Sequence, residues 1–252
     1  MNLFATTTIF ITIFTLSSAL DVTCPSQCRC DNSRRKKVYC HERELREIPY
    51  GIPRETLNLQ LQDNNITNGP RLNTELMRLE KLHTLNLHSN KLTSFPKRLP
   101  QTLEILSFHN NQIKFVGRSP LKGLTTLREL QLDGNSLTNQ GLSPETFADT
   151  ISLYLLELSD NKLTSIPEGL PDSLNYLYLR NNKINYVSKS SLERLTQLKV
   201  LRLSHNFISQ GIIENGALLP LTGLNELDLS SNQLAEIPSN LPEKVSKTHK
   251  II

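Results

Sequence analysis

An eleven-residue pattern, present eight times, constrains this chain more than any other feature of its sequence. Leu or another apolar residue stands at places 1, 4, 6 and 11 and Asn at place 9, as in LNYLYLRNNKI at 174–184. Apolar places 4 and 6 alternate with variable places 3, 5 and 7, which is the period of a β-strand with one buried face. One copy cannot bury that face alone. The copies are therefore predicted to stack on one another.

The eight copies share their ninth residue as well as their apolar places. They begin at Thr56, Leu82, Leu103, Leu127, Leu153, Leu174, Leu198 and Leu224, and only Thr56 departs from an apolar first place. The ninth-place residues are Asn64, Asn90, Asn111, Asn135, Asn161, Asn182, Asn206 and Asn232. An Asn side chain has one carbonyl and two N–H donors, so these residues are predicted to bond backbone groups where the chain leaves each strand.

The spacing of these asparagines shows a longer period of three repeats. Successive separations are 26, 21, 24, 26, 21, 24 and 26 residues, so the pattern returns every 71 residues. The 21-residue repeats carry a proline in each connector, at Pro96, Pro167 and Pro238. Proline suits an extended outer segment, whereas the longer connectors have room for a helical turn or short helix. The predicted fold is an α/β solenoid, a leucine-rich repeat horseshoe with a parallel concave β-sheet and a mixed extended and short-helical convex side.

The residues before the repeats are predicted to direct secretion and to cap the array. Residues 1–19 form an uncharged, mostly apolar run that ends in small residues, and we interpret them as a signal peptide, with a signal anchor as the alternative. No second apolar run is long enough to span a bilayer, so a secreted protein without membrane insertion is expected. Residues 20–55 form a cysteine-rich N-terminal cap, and the eight repeats occupy 56–242.

Four cysteines lie close together in the cap, at Cys24, Cys28, Cys30 and Cys40. An even number of cysteines behind a secretory signal indicates disulfides, although the spacing alone leaves three connectivities open. A zinc site is the alternative, but no Cys and His pair at zinc-finger spacing supports it. The predicted role of this disulfide cap is to cover the first repeat, whose inner residues otherwise face water.

The cap spacing C-x3-C-x-C-x9-C and the short-long-long triplets resemble the small leucine-rich repeat proteoglycans. Within that family the spacing is similar to the lumican–fibromodulin and podocan–nephrocan groups. The chain has no Ser-Gly pair for a glycosaminoglycan and no acidic tyrosine-rich segment before Cys24, which favours the podocan–nephrocan group. The resemblance implies disulfides Cys24–Cys30 and Cys28–Cys40 and implies no cofactor.

The C-terminal segment departs from the family pattern. Residues 243–252 form a non-repeat tail, since a ninth repeat requires Leu where the chain has Thr248 and Lys250. The two-cysteine C-terminal cap of the family is also missing. We therefore expect a C-terminally truncated or alternatively spliced form in which the apolar end of the eighth repeat is exposed.

The outward places of the strands are the expected binding surface, because the inward places are occupied by packing. In the second half of the array these places carry large aromatic and charged residues, namely Tyr154, Glu157, Tyr176, Tyr178, Arg180 and Arg202. Exposed tyrosines and arginines flanked by acids are typical of protein-recognition surfaces. The alternative is that they shield the sheet and pair with Glu157 and Glu129. The family resemblance implies collagen or transforming growth factor-β (TGF-β) family proteins as ligands.

Three further sets of residues are candidates for modification or binding. The basic run Arg34, Arg35, Lys36 and Lys37 is a candidate contact for sulfated glycans, with a solvated loop as the alternative. Asn65 begins the sequon Asn65-Ile66-Thr67 and is a candidate glycosylation site. His88 and His109 share place 7 of adjacent repeats, and we expect solvent-facing histidines there rather than a zinc site.

The sequence predicts a binding protein rather than an enzyme. No nucleophile–base pair or metal motif stands out from the repeat frame. A net charge of +4 is too small to indicate nucleic-acid binding. We expect a secreted extracellular matrix glycoprotein, with a leucine-rich repeat recognition ectodomain of receptor or innate-immune type as the alternative.

Overall fold

One ten-stranded sheet runs the length of the repeat array. The fold is known from a computed structural model that describes residues 24–31, 33, 36–238 and 240–248. The expected signal peptide at 1–19 lies outside the described residues, as do Arg34 and Arg35. The predicted leucine-rich repeat solenoid with a parallel sheet is confirmed.

The strands are short and follow one another in chain order. They are β1 (Arg29–Asp31), β2 (Lys37–Tyr39), β3 (Asn58–Gln60), β4 (Thr84–Asn86), β5 (Ile105–Ser107), β6 (Glu129–Gln131), β7 (Leu155–Glu157), β8 (Tyr176–Tyr178), β9 (Val200–Arg202) and β10 (Glu226–Asp228). Strands β1 and β2 are antiparallel, and every later neighbour is parallel.

The sheet register keeps equivalent places of successive repeats side by side. Leu156, Leu177 and Leu201, all at place 4, are direct neighbours on β7, β8 and β9 and are fully buried. The leucines and isoleucines at places 1, 6 and 11 of these repeats lie in the same core. Burying one such side chain stabilises the fold by roughly 1.5–3 kcal/mol. The core therefore forms one continuous column along the array.

Each repeat leaves its strand through a residue in the left-handed backbone region. At place 8, φ lies between +51° and +65° in all eight repeats, at Asp63, Ser89, Asn110, Gly134, Asp160, Asn181, His205 and Ser231. Asn, Asp and Gly tolerate this conformation best, and they fill five of these places. The turn brings the following ninth-place Asn under the neighbouring strands.

The convex side combines helical and extended segments, as predicted. The first 26-residue repeat contains the helix α1 (Pro70–Arg78), which begins at a proline and buries Leu72 and Leu76. Short 3-10 helices lie at Ser119–Leu121 and Asn139–Gly141 in longer repeats. None of these helices lies in a 21-residue repeat. Proline in the short connectors accounts for the extended backbone there.

A close backbone contact in one short connector gives a test of how tightly the repeats pack. Gly169 has φ +70°, and a Cβ atom there would overlap the carbonyl of Pro144. Gly169→Ala is expected to lower the free energy of unfolding by about 2 kcal/mol, measured by urea denaturation. Gly211→Ala is the matched control, since Gly211 has φ +80° but no heavy atom within 4 Å of the added Cβ. Equal losses in the two variants would show that the left-handed φ alone matters.

The N-terminal cap closes the first repeat. Disulfides join Cys24 to Cys30 and Cys28 to Cys40, the pairing that the family resemblance implies. Cys40 is fully buried and Val38 nearly so, and both belong to the column of core residues. Strand β2 pairs in parallel with β3, so the cap supplies the neighbour that the first repeat needs.

The other end of the array is partly covered. The tail contains the helix α2 (Glu243–Thr248), and its Val245 is fully buried in the core. Leu227 and Leu229 of the eighth repeat are also buried, so the expected exposure of this end is incomplete. Ile237, however, is 61% exposed, whereas its equivalents Phe95 and Ile166 are 5% and 1% exposed. A following repeat covers Phe95 and Ile166 but not Ile237.

Candidate protein-binding face

The ninth-place asparagines hold the sheet in a fixed shape. In the fifth repeat, Nδ2 of Asn161 donates to the carbonyls of Leu132, Leu158 and Ser159 at 3.0–3.1 Å. Oδ1 of Asn161 accepts the N–H of Leu137 at 2.9 Å. The same contacts recur at the next ladder residues on both sides. Each Asn thus bonds backbone groups of two successive repeats, and the concave face is rigid as a result.

A second, sparser asparagine set was not predicted from the sequence. Oδ1 of Asn68 accepts the N–H of Thr93 at 2.8 Å, and Oδ1 of Asn139 accepts the N–H of Thr164 at 2.8 Å. Asn68 and Asn139 are one 71-residue period apart, so the triplet period is the signal that identifies them. The third equivalent is Gln210, whose side chain bonds Glu236 instead.

Three tyrosines lie together on the concave face, and we call Tyr154, Tyr176 and Tyr178 the tyrosine patch. The ring centroids of Tyr154 and Tyr176 are 5.1 Å apart in an edge-to-face arrangement, and those of Tyr176 and Tyr178 are 6.4 Å apart. All three side chains remain partly exposed. A hydrogen bond to Tyr176 raises the pKa of Tyr154, and burial raises the pKa of Tyr178. Both phenols therefore stay neutral, as hydrogen-bonding groups, at pH 7.

Arg202 extends the tyrosine patch onto the next strand. Its guanidinium lies over the Tyr178 ring, 5.3 Å from the ring centroid, which is within the range of a cation–π contact. Its Nε donates to Oε1 of Glu226 at 2.9 Å, and this hydrogen bond raises the pKa of Arg202. Glu226 was not predicted as a site residue. It is the diagonal neighbour of Arg202 on β10, and such diagonal pairs are the signal that could have found it.

Glu157 and Arg180, the other two candidates, do not pair with the tyrosine patch. Glu157 lies opposite Tyr178 in the register and accepts the N–H of Ser159 at 3.0 Å. Burial raises the pKa of Glu157, and the carboxylates of Asp133 and Asp160 raise it further, against hydrogen bonds from Ser159 that lower it. Arg180 is exposed beyond the end of β8, and among the described residues it forms no salt bridge.

The two histidines stack on each other rather than converging on a metal. The ring centroids of His88 and His109 are 4.2 Å apart with the planes nearly parallel. Burial lowers the pKa of His88, and the neighbouring His109 lowers it further. No group of three His, Cys, Asp or Glu side chains within the described ranges is arranged to hold a metal ion.

The candidates outside the concave face lie on the cap and the first repeat. Lys36 is exposed and pairs with Glu55 at 3.2 Å, while Lys37 belongs to β2. The backbone N–H of Asn65 donates to the carbonyl of Leu45 at 2.7 Å, and the side chain is partly exposed. Thr67, the last sequon residue, is exposed. In the part of the chain that the structure describes, no helix is long and apolar enough to cross a membrane.

Comparison with known families agrees with the observed architecture. The sequence matches the profile described as Leucine rich repeat at residues 80–137, 101–163 and 172–234, and that described as Leucine rich repeat N-terminal domain at 23–53. These matches cover more than half of the chain. The chain therefore belongs to the leucine-rich repeat family.

Its relatives include podocans and a leucine-rich repeat transmembrane protein. Human podocan-like protein 1 is 33% identical over 252 residues, covering 90% of this chain and 48% of the relative, and mouse podocan is 32% identical over 219 residues, covering 77% and 36%. The predicted podocan resemblance is thus confirmed. Human leucine-rich repeat transmembrane protein FLRT2 is 38% identical over 219 residues, covering 87% of this chain and 33% of FLRT2. This chain therefore spans between a third and a half of the length of these relatives.

A solved structure has the same fold over most of the chain. It is a chain of the octameric complex of latrophilin 3, Unc5D and the leucine-rich repeats of FLRT2. The superposition gives a TM-score of 0.82 at 37% identity and covers 91% of this chain and 68% of the other. In that structure, leucine-rich repeats are part of a multi-protein complex.

Proposed function

We propose that this chain is a secreted extracellular matrix glycoprotein that binds a matrix or signalling protein, collagen or a TGF-β family member, through the concave face of repeats 5–7. The single observation that carries the proposal is the tyrosine patch with Arg202 stacked against it. The similarity to podocan and podocan-like protein 1 supports the matrix setting. The proposed activity is binding, not catalysis.

The tyrosine patch combines side chains that favour protein binding with a rigid backbone. Tyrosine side chains provide large contact area and lose little conformational entropy on binding, and Tyr and Arg dominate binding hot spots. The strand backbone beneath them is held by ladder hydrogen bonds from Asn182 and Asn206. A rigid, partly exposed aromatic surface is therefore already formed before a partner arrives.

The alternative role of these residues, shielding the sheet, fits the contacts less well. That alternative expects Arg202 and the tyrosines to pair with Glu157 and Glu129. Arg202 pairs with Glu226 instead, and Glu157 forms no salt bridge among the described residues. The Glu157 carboxylate is left available to a partner.

The combined variant Tyr178→Ala with Arg202→Ala tests the proposed face. We expect its affinity for the bound matrix or signalling protein to fall by roughly 10- to 100-fold, because two hot-spot side chains are removed. Binding to collagen fibrils and to TGF-β family proteins would be measured by co-sedimentation and surface plasmon resonance.

The matched control for that experiment is Tyr186→Ala with Arg194→Ala. Both residues are exposed, and they lie in the connector outside the strands. We expect this control to keep wild-type affinity. Equal affinity of the concave variant and the control would contradict the proposed binding face.

A receptor-type recognition ectodomain is the second candidate function. It is favoured by the 38% identity to FLRT2 and by the fold shared with the leucine-rich repeats of the latrophilin 3, Unc5D and FLRT2 complex. Binding of the purified chain to cells that display Unc5D or latrophilin 3, compared with binding to collagen fibrils, separates the two functions. Binding to the cells alone would favour the receptor-type function.

Two further interactions are proposed outside the concave face. Asn65 is proposed to carry an N-glycan, since its sequon lies at the edge of the first repeat with Thr67 exposed. The run Arg34, Arg35, Lys36 and Lys37 is proposed to contact sulfated glycans. Mass spectrometry of the secreted protein and heparin affinity chromatography test these proposals.

A further inference from the structure

Two partly buried carboxylates lie next to the tyrosine patch. Glu157 and Asp133 lie on neighbouring repeats, on the fifth and seventh places of the concave face. Neither carboxylate forms a salt bridge among the residues that the structure describes. Burial raises the pKa of both carboxyl groups, and the charge of Asp160 raises both further, although the neighbouring His109 lowers the pKa of Asp133. Negative charge is thus concentrated where solvation is weak.

The surrounding surface is acidic although the whole chain is basic. From place 2 to place 8 of repeats 4–8, the outward residues include six carboxylates and four cations. The carboxylates are Glu129, Asp133, Glu157, Asp160, Glu226 and Asp228, and the cations are Arg128, Arg180, Lys199 and Arg202. The net charge of the chain is +4, so this face differs in sign from the rest of the molecule. Such a local reversal of charge attracts a positively charged partner surface.

An apolar stripe runs beside these carboxylates. Leu155, Tyr176 and Val200 occupy the third place of β7, β8 and β9 and are direct neighbours in the register. All three side chains are partly exposed on the concave face. The face therefore pairs an apolar contact area with negative charge along one side.

We infer that this face binds a basic segment of the protein partner. A Lys or Arg side chain of that segment lies between Glu157 and Asp133, while an adjacent apolar side chain packs on Leu155, Tyr176 and Val200. The carboxylates neutralise the cation. This inference rests on the proposed function, since it specifies the chemistry of the partner at the same surface.

Charge complementarity favours this occupant over an anionic one. A sulfated glycan or an acidic segment would bring further negative charge to Glu157 and Asp133 and would bury it there. Like charges placed opposite one another at an interface repel and oppose binding. A basic segment instead provides ion-pair partners for two carboxylates that form no salt bridge with any residue the structure describes.

Labelled peptides test the inference directly, whichever protein supplies the basic segment. The probe is a fluorescein-labelled peptide of alternating Lys and Leu residues, with Glu-for-Lys and Gln-for-Lys peptides as comparisons. Fluorescence anisotropy with the full chain is expected to show binding of the Lys peptide only, weakened by added salt. Asp133→Asn with Glu157→Gln is expected to reduce its affinity about tenfold or more.

The matched control removes two carboxylates elsewhere, by Glu145→Gln with Glu193→Gln. Both residues are exposed and lie in connectors outside the strands. This control is expected to keep the affinity of the wild-type chain for the Lys peptide. Equal binding of the Glu and Lys peptides, or equal affinity of the concave and control variants, would overturn the inference.

Loss of folding is separable from loss of binding. Because burial raises the pKa of Glu157, ionisation opposes folding as pH rises through its unfolded and then its folded pKa. A Gln side chain does not ionise and so does not oppose folding in this way. The thermal midpoint of Glu157→Gln at pH 7 should therefore equal or exceed the wild-type value. Suppose that Tyr178→Ala with Arg202→Ala weakens partner binding, but Asp133→Asn with Glu157→Gln leaves the affinity for the Lys peptide unchanged. In that case only this inference fails. If the tyrosine variant also changes nothing, the proposed function fails with it.

Discussion

Asn161→Ala is expected to lower the free energy of unfolding by about 3–5 kcal/mol, a large part of the stability of an ordinary domain. The side chain satisfies three backbone carbonyls and one backbone N–H, all near the buried strand exit. Alanine can replace none of these contacts. The N–H of Leu137 is left without a partner, which costs about 1–3 kcal/mol. The three carbonyls keep another donor each, so every hydrogen bond lost to them costs only about 0.5–1.5 kcal/mol. Urea denaturation followed by circular dichroism measures the change.

Asn185→Ala is the matched control for the ladder variant. Asn185 is exposed in the connector of the next repeat, where its backbone N–H donates to the carbonyl of Thr164, a bond that alanine keeps. The same chemical deletion there is expected to change stability by no more than about 0.5 kcal/mol. If both variants unfold at the same urea concentration, the ladder does not hold the repeats together as the hydrogen bonds indicate.

The fold could be predicted because its determinants are local and recur. Leu177 and Leu179 follow the strand period, and the same period returns in every repeat, so one error in one copy changes little. The strand register then follows from stacking, since equivalent places must align to bury the leucines. The extended backbone of the short connectors was likewise predictable from Pro96 and Pro167.

The binding face could be predicted only in part. The outward direction of Tyr176 and Tyr178 follows from alternation, and the structure places both beside Arg202. The choice of Glu226 as the partner of Arg202 depends on side-chain rotamers across the diagonal of β9 and β10. No one-dimensional pattern encodes that choice, because β10 also places the carboxylate residue Asp228 directly opposite Arg202.

The C-terminal end was the least predictable part of the described chain. Residues 243–248 break the repeat frame, and the frame alone indicated an uncovered end. The structure instead forms α2 there and buries Val245 against the core. A single apolar residue in a short polar segment forms no periodic pattern from which its burial could be predicted. The burial of Val245 depends instead on packing against the end of the repeat array.

Replacing both Cys28 and Cys40 with Ala is expected to lower the free energy of unfolding by about 3 kcal/mol. Their bond closes a separation of 12 residues and ties β2, which neighbours the first repeat, to the start of the cap. Its loss gives conformational freedom to the unfolded chain, and a loop of this size is worth roughly 3 kcal/mol. Cys40 is also fully buried, so the variant loses core contacts as well. Urea denaturation under non-reducing conditions measures the effect.

The bond between Cys24 and Cys30 provides the matched comparison. It closes a separation of only 6 residues, and both cysteines are partly exposed. Because its loop is shorter, removing this bond is expected to destabilise the fold by about 0.5 kcal/mol less than removing the Cys28–Cys40 bond. Neither Cys24 nor Cys30 is fully buried, so fewer core contacts are lost and the difference becomes larger. Peptide mapping of the oxidised wild-type protein should recover both bonds as Cys24–Cys30 and Cys28–Cys40. A different pairing, or a larger loss from the shorter loop, would show that the cap does not stabilise the first repeat through Cys40.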